Sequence, residues 1–446
     1  LSIESLMEEH TNRKPRMLVR WLLVCAVVVL YAPSVRPQGP QQCPAPNTIT
    51  PCGCTVKKNG LDILCEFTEQ QHIQKAMNAL RAKPMIIFYL KLRHNNLAKL
   101  PSYIFLGLDI RHLTVHNSSL AVIEDSSLSS IGNKLTQLDV SQNSLATIPT
   151  SSFAHLNHLL ILNMNHNKVT AVHNRAFIGL DTLEILTLYE NRISVVDGEA
   201  FKGLEKKLKR LNLGGNELTA VPQKALALLE NLKKLEMQEN RIATITEGDF
   251  AGLRNLDSLG LAHNQLREVP AQVFSHLNFL NSLELEGNQI QRIDEKAFSG
   301  LEENLQYLRL GDNRLHEIPS ELPTMGFDNL NSLETLNLQN NKLQHIPEEI
   351  MEPILDTLRV VDIMDNPLIC DCELAWYEAW LAGLRDRDDE MMQKKRTVCT
   401  MVSEHREYSV AKMPLERMNC KRKPAYGRTG GAQGLCYQNT VAANAV

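Results

Sequence analysis

The sequence lacks the motifs and the charge pattern that several functional classes require. It contains no G-x-S-x-G or H-E-x-x-H motif, no glycine-rich phosphate loop and no EF-hand loop, so it predicts no catalytic site, no cofactor and no metal. Its net charge is −4 and its isoelectric point is near 6.4, whereas a nucleic-acid-binding protein usually has a strongly basic face. These features disfavour an enzyme and exclude nucleic acid as the expected partner.

Long apolar runs are also scarce. The run from Trp21 to Ala32 follows Arg20 and is too short to cross a bilayer as a helix, which needs about 20 residues. A basic residue, a short apolar run and then small residues are typical of a secretory signal peptide, which we place at residues 17–38. Residues 1–16 would then be an untranslated leader or a cloning artefact. The alternative is that the run is a buried strand.

Cysteine is absent from the 304 residues between Cys65 and Cys370. Two clusters of four flank this stretch, while Cys25 lies in the signal region and Cys436 is left over. The clusters comprise Cys43, Cys52, Cys54 and Cys65, then Cys370, Cys372, Cys399 and Cys420. Behind a signal peptide, such clusters predict disulfides rather than zinc sites. The sequence alone leaves three pairings open in each cluster.

An eleven-residue pattern, L-x-x-L-x-L-x-x-N-x-L, recurs between the clusters, as in the segment from Leu183 to Ile193. Its asparagine position recurs in steps of 23 to 28 residues, which predicts a repeat solenoid. That position is occupied by Asn95, Ser118, Asn143, Asn167, Asn191, Asn216, Asn240, Asn264, Asn288, Asn313, Asn341 and Asn366. We expect an α/β solenoid, a curved horseshoe with a parallel sheet on its concave face and disulfide-bonded caps at its ends.

Each repeated residue type has a physical role. The L-x-L pair on a strand points both leucines into the core, and the asparagine amide satisfies backbone groups where the chain leaves the strand. The asparagines should therefore form a hydrogen-bonded ladder. A second anchor follows ten residues later and should form a buried spine on the opposite side. The spine residues are Phe105, Leu128, Phe153, Phe177, Phe201, Leu226, Phe250, Phe274 and Phe298. Four extra residues between Asn313 and Asn341, near Pro319 and Phe327, predict a small loop.

Stacked repeats need caps, and the cysteine clusters lie where caps belong. We expect an N-terminal cap at 39–86, twelve repeats at 87–366, a C-terminal cap at 367–420 and a flexible tail at 421–446. The stretch from Asp371 to Leu384 has apolar residues at helical spacing, so Trp376 and Trp380 should form the core of the C-terminal cap. The tail shows no anchor signal, so we expect a secreted protein unless a membrane anchor is missing from this chain.

The stretch from Asn366 to Trp376, N-P-L-I-C-D-C-E-L-A-W, resembles the C-terminal flanking cap of extracellular leucine-rich-repeat proteins. The residues from Cys43 to Cys65 resemble their N-terminal cap. Similar chains include Slit-type guidance proteins, chaoptin-type adhesion proteins, Toll-type ectodomains, proteoglycan cores and arthropod secreted proteins named after a non-catalytic luciferase subunit. The resemblance implies the pairs Cys43–Cys54, Cys52–Cys65, Cys370–Cys399 and Cys372–Cys420. It also implies a recognition or adhesion module, or alternatively a matrix component or the non-catalytic subunit of a secreted complex.

The outward strand positions form the candidate binding surface, for an extracellular protein ligand or a cell-surface receptor. Nothing in the sequence excludes a homodimer. We predict that repeats one to five bind the partner, because they combine apolar, aromatic and basic residues. The predicted binding residues are Tyr89, Lys91, Arg93, His116, Ile161, Ile185 and Tyr189. The sequon at Asn117 predicts a glycan. His94, His112 and His116 could lie close together across the first two coils. We interpret them as ordinary surface histidines, with a metal site or a pH-sensitive contact as the alternatives.

Overall fold

The computed structural model describes residues 42–82, 84–318, 330–383 and 396–420. Four predictions concern segments that lie outside the described residues. They are the leader, the signal peptide, the loop near Pro319 and Phe327, and the tail. A compact unit begins at Cys43, and the unit before it, Leu1–Gln42, is described only at Gln42.

The N-terminal cap is built from α1 (Pro46–Ile49), β1 (Gly53–Lys57), β2 (Gly60–Glu66) and α2 (Gln70–Leu80). Strands β1 and β2 pair antiparallel as a hairpin, and β2 pairs parallel with the first repeat strand. The cap therefore extends the repeat sheet and closes its end. Helix α2 buries one face at a spacing of three and four residues, through Ile73, Ala76, Met77 and Leu80.

Each predicted L-x-L pair lies on or beside a strand of a single sheet, which has fourteen strands within the described residues. The repeat strands are β3 (Ile86–Arg93), β5 (Asp109–His116), β7 (Gln137–Asp139), β8 (Ile161–Asn163), β10 (Ile185–Thr187), β12 (Arg210–Asn212), β13 (Lys234–Glu236), β14 (Ser258–Gly260), β16 (Ser282–Glu284), β18 (Tyr307–Arg309), β19 (Thr335–Asn337) and β20 (Val360–Asp362). Neighbouring repeat strands pair parallel and in register, as Ile161 with Ile185. The solenoid with a parallel sheet is confirmed.

Short elements complete the coils. Two-residue strands pair between neighbouring coils as β4 (Lys99–Leu100) with β6 (Val122–Ile123), β9 (Ala171–Val172) with β11 (Val195–Val196), and β15 (Glu268–Val269) with β17 (Arg292–Ile293). Single helical turns occur as α3 (Thr150–Phe153), α4 (Gln223–Leu226), α5 (Glu348–Met351) and a 3₁₀ turn at Glu352–Ile354. The nine spine residues are all buried, and the rings of Phe177 and Phe201 stack with centroids 6.1 Å apart.

The asparagines form a continuous ladder. In Asn264, the amide nitrogen donates to the carbonyl oxygens of Leu261 and of Met237 in the preceding coil, at 3.1 and 3.0 Å. Its amide oxygen accepts the backbone N–H of Ile242, again from the preceding coil. Ser118 replaces asparagine in one coil, where its hydroxyl accepts the N–H of Asn95 and donates to a backbone carbonyl. Each ladder residue therefore joins two coils.

The C-terminal cap contains α6 (Ala375–Gly383), β21 (Val398–Met401), β22 (Arg406–Ser409) and a 3₁₀ turn at Val410–Lys412. The helix is shorter than the predicted stretch from Asp371, because Asp371 instead accepts the N–H of Leu374 just before the helix. Trp376 and Trp380 are buried, and the indole N–H of Trp376 donates to the carbonyl oxygen of Ile346 in the last coils.

Four disulfides close the caps, and they join the same cysteines that the resemblance implies. The pairs are Cys43–Cys54, Cys52–Cys65, Cys370–Cys399 and Cys372–Cys420. Among the described residues, no helix combines the length and the apolar composition needed to cross a membrane.

Candidate functional site

Strand geometry places the predicted binding residues on the surface of the sheet that faces away from the core. In β10, Leu186 is fully buried, whereas Ile185 and Thr187 on either side of it are half-buried. Because the strands pair in register, equivalent residues of successive coils lie side by side. We call this row of outward residues the sheet face.

Lys91 lies at the N-terminal end of the sheet face, and its charge is already paired. Its ammonium group is 3.0 Å from a carboxylate oxygen of Asp62 and 4.8 Å above the ring centre of Tyr89. Strands β2 and β3 place Asp62 opposite Tyr89, so the cap supplies this acid. This pairing could not be predicted from the sequence, because Lys91 and Asp62 are 29 residues apart in the chain.

Arg93, two residues further along the strand, forms no ion pair with any residue that the structure describes. The other arginines and lysines of the sheet face do pair: Lys91 with Asp62, Arg210 and Lys234 with Glu236, and Arg309 with Glu284 and Glu286. Glu66 is opposite Arg93 in the register of β2 and β3, yet the two side chains do not come within ion-pair distance. Arg93 is therefore the strongest candidate on this surface for binding an external anion.

A polar cleft of about 470 Å³ opens on the sheet face of the first repeats. It is lined by Arg93, His94, Thr114, His116, Asp139, Ser141, Gln142, Asn163, Asn165 and His166. The His116 ring nitrogen Nδ1 lies 2.9 Å from the Ser141 hydroxyl, and Asp139 accepts the backbone N–H of Ser141. The lining thus offers hydrogen-bonding groups held in place by their neighbours, which suits a polar or charged ligand group.

The three histidines that we grouped from the sequence do not all lie together in the structure. The rings of His94 and His116 lie 6.1 Å apart beside the cleft. His112 instead packs against Phe88 and Tyr89, with ring centres 4.8 and 5.0 Å away. The grouping was wrong for His112, because residues four apart on a strand are roughly 13 Å apart.

The apolar and aromatic residues of the predicted binding set from the fourth and fifth repeats do not all lie together. Ile161 and Ile185 are direct register partners on the sheet face. Tyr189 lies beyond the end of β10, where its hydroxyl donates to Glu239 at 2.8 Å and its ring meets the edge of His166. The hydrogen bond to Glu239, with partial burial, raises the pKa of the Tyr189 hydroxyl. Tyr189 is therefore already committed to a contact within the chain.

The residue immediately before each ladder residue, which we call the pre-ladder position, has a left-handed backbone in every repeat. These residues are His94, Asn117, Gln142, His166, Glu190, Gly215, Glu239, His263, Gly287, Asp312, Asn340 and Asp365. The conformation turns the chain out of the strand, and Gly215 and Gly287 adopt it without a steric penalty. This left-handed position was not predicted from the sequence, although the glycines, asparagines and aspartates that recur there are a usable signal.

In the N-terminal cap, Phe67 occupies the same position. The backbone N–H of the next residue, Thr68, donates to the Asn95 side chain, which places Thr68 on the ladder. Phe67 has a φ of 52° and its side chain is 80% exposed. Its ring stacks on that of His94 with a centroid separation of 5.4 Å. An exposed aromatic side chain therefore lies beside the polar cleft.

The C-terminal half of the sheet face is acidic. Glu284 and Glu286 lie near the guanidinium of Arg309, at 3.7 and 3.9 Å. Burial raises the pKa of the Glu286 carboxyl, and one of its oxygens is buried without a hydrogen-bond partner among the described residues. Arg309 is already paired with these glutamates, so this half of the sheet face is a weaker candidate for binding an acidic partner.

A further polar cluster lies where the last coil meets the C-terminal cap. His345 Nδ1 is 2.6 Å from Asp371 Oδ2 and 3.9 Å from Glu373, and donor atoms of all three lie within 4.8 Å of one another. His345 and Glu373 are exposed. We interpret the cluster as a hydrogen-bonded contact that links the last coil to the cap.

Asn117 and Ser119 of the sequon are both exposed. The Asn117 amide nitrogen lies 3.0 Å from Nδ1 of His94. A glycan at this position would therefore border the cleft and the ring of Phe67.

Two family models describe the repeat region. The model for "Leucine rich repeat" matches residues 109–169, 161–206, 206–266 and 254–315, and a second leucine-rich-repeat model matches residues 332–352. Together the matches span about half of the chain. The chain belongs to the leucine-rich-repeat family.

Solved structures with a similar fold include Toll in the Toll–Spatzle complex of Drosophila. In its glycosylated form, Toll is 21% identical, with a TM-score of 0.55, over 74% of this leucine-rich-repeat chain and 52% of Toll. A second structure of the complex matches at 21% identity and a TM-score of 0.55, over 77% and 56%. A leucine-rich-repeat protein of Leptospira interrogans matches at 24% identity and a TM-score of 0.49, over 69% and 78%. The chain thus spans about half of Toll, and the structural likeness to Toll shows a shared fold.

Proposed function

We propose that this leucine-rich-repeat chain is an extracellular recognition module that binds a protein partner through the sheet face of repeats one to five and catalyses no reaction. The observation that carries the proposal is the polar cleft with Arg93 at its edge, a cation without an ion-pair partner among the described residues. Arginine is enriched among the residues that contribute most to protein interfaces.

Three further observations support this function. The cap disulfides favour an oxidising, extracellular location. The register-paired strands provide a rigid scaffold, so partner-binding side chains lose little freedom on association. Toll, which shares the fold, occurs in a complex with Spatzle. From the sheet face we select Arg93, His116, Ile161 and Ile185 as principal contacts, with Tyr89, Lys91 and Tyr189 at the margin.

The test begins with the full chain, secreted with an affinity tag and cross-linked to extracellular and cell-surface proteins of its source tissue. Captured proteins are identified by mass spectrometry, produced separately and titrated by interferometry. We expect Arg93→Ala to weaken the affinity of the partner by at least about tenfold. Tyr189→Ala should have a smaller effect, because its hydroxyl is bound within the chain.

Ser282→Ala serves as the matched control, since Ser282 is a sheet-face residue of a later repeat. Affinities within twofold of the unmodified chain for Arg93→Ala, Ile185→Ala and Tyr189→Ala together would overturn the proposal, provided that the variants stay folded. Stoichiometric co-purification with one secreted enzyme would instead support the role of a non-catalytic subunit.

A further inference from the structure

The stability of the fold does not explain why residue 67 is a phenylalanine. Most of its side chain is in water, so little apolar surface is buried by folding. Its backbone is left-handed, a conformation that a bulky aromatic residue rarely adopts. The twelve repeats fill the equivalent position with glycine or a polar residue, so the turn itself does not require an aromatic ring.

The ring of Phe67 is nevertheless held in a defined orientation. It stacks on His94 with an angle of 11° between the ring planes, and His94 is in turn within hydrogen-bond distance of Asn117. An exposed ring that is already oriented loses little side-chain entropy when a partner covers it. This is the property of an aromatic anchor at an interface.

Arg93 lines the polar cleft together with His94, on which the ring of Phe67 stacks. Its guanidinium has no ion pair among the described residues, and the one carboxylate in the cleft lining, Asp139, accepts a backbone hydrogen bond from Ser141. A guanidinium can bind an incoming carboxylate through two parallel hydrogen bonds, which adds specificity to charge attraction.

We propose that Phe67 and Arg93 form a paired docking site for a segment of a partner protein in which an acidic side chain adjoins an apolar one. The carboxylate binds Arg93 at the cleft, and the apolar side chain packs on the exposed face of Phe67. The inference rests on the proposed function and names the chemistry of the partner. It also extends the binding surface from the repeats onto the N-terminal cap.

A display library of random twelve-residue peptides, selected on the full chain, tests this site without a known partner. The chain carries Ser119→Ala, which removes the sequon but keeps Asn117 against His94. We expect the enriched peptides to combine Asp or Glu with a neighbouring apolar residue. Synthetic versions should lose at least tenfold in affinity with Phe67→Ala and with Arg93→Met, and added salt should weaken only the binding that retains Arg93.

Phe279→Ala is the matched control, because Phe279 is also an exposed phenylalanine, 59% accessible, in a distant repeat. It should leave the affinity unchanged. Phe67→Asn separates binding from folding, since asparagine tolerates the left-handed backbone. We expect this variant to melt at the same or a higher temperature and to lose peptide binding. A lower melting temperature would show that the ring supports the fold and would overturn the proposal.

Enriched peptides without acidic residues, binding that is insensitive to both substitutions, or the absence of any enrichment would each overturn the docking site. None of these outcomes decides the proposed function, which the titrations of the cross-linked partner test through Ile185 and Tyr189 as well. Conversely, a partner whose affinity is unchanged by every sheet-face substitution overturns the proposed function, even if peptides bind at Phe67.

Discussion

The side-chain amide of Asn240 donates a hydrogen bond to the carbonyl oxygen of Leu213 in the preceding coil, at 2.9 Å. The same amide nitrogen donates to the carbonyl of Met237 in its own coil, and the amide oxygen accepts the N–H of Leu218. One buried side chain thus satisfies backbone groups on both sides of a coil boundary. The ladder asparagines from Asn143 to Asn366 repeat this arrangement, whereas the Asn95 side chain bonds to Cys65 and Thr68 of the N-terminal cap.

Replacing Asn240 by alanine should lower the free energy of unfolding by about 1–3 kcal/mol, because buried backbone groups lose their partners. Chemical denaturation of the secreted chain measures the change. Asn231→Ala is the control, since Asn231 is exposed and its contacts with Glu205 and Lys206 are long. Equal stabilities of the Asn240→Ala and Asn231→Ala variants would contradict the structural role of the ladder.

The cap disulfides should stabilise the fold in proportion to the loops that they close. Cys372–Cys420 spans 48 residues and Cys43–Cys54 spans 11. Chain-entropy arguments give about 4 kcal/mol for the longer loop and about 3 kcal/mol for the shorter one. We expect the paired serine substitution of Cys372 and Cys420 to shift the denaturation midpoint further than that of Cys43 and Cys54. The reverse order would show that local strain or packing, not loop closure, dominates.

The repeat fold could be predicted because each coil encodes its own strand, ladder residue and spine residue in local order. The candidate binding surface could be predicted only as a set of positions. Whether Lys91 is free depends on Asp62, and whether Tyr189 is free depends on Glu239 two coils away. Such pairs follow from the register between coils, which the sequence does not state. Phe67 was missed because it lies in the cap, outside the repeat pattern.

We expect Glu286 to lower the free energy of unfolding as the pH rises. Burial raises the pKa of its carboxyl above the ordinary value for a glutamate, so folding favours the protonated form. The resulting stabilisation is present at low pH and is lost as the pH rises through the folded-state pKa. Glu286→Gln should therefore stabilise the chain more at pH 7 than at pH 4. Denaturation at both values measures this difference, with the exposed Glu247→Gln as control. A benefit that is the same at both pH values would refute it.

Asn117 should carry an N-linked glycan when the chain is secreted from eukaryotic cells. The sequon is exposed, and its two polar side chains point away from the core. Enzymatic removal of N-glycans should lower the mass of the secreted chain, and Ser119→Ala should abolish that shift. An unchanged mass after enzyme treatment would contradict the prediction. Comparison of the two forms would also show whether the glycan shields the cleft.

The in-register pairing of the repeat strands has a consequence for how such a chain can change in length. Tyr307 pairs with Thr335 across the longest coil as directly as Ile161 pairs with Ile185 across a shorter one. The register across the longest coil is therefore the same as that across the shorter ones. A deletion that removes one whole coil would bring two equivalent edges together, and each ladder amide would find the same backbone groups. A deletion of half a coil would leave the two edges mismatched. The sheet face of this chain can therefore lengthen or shorten only by complete coils.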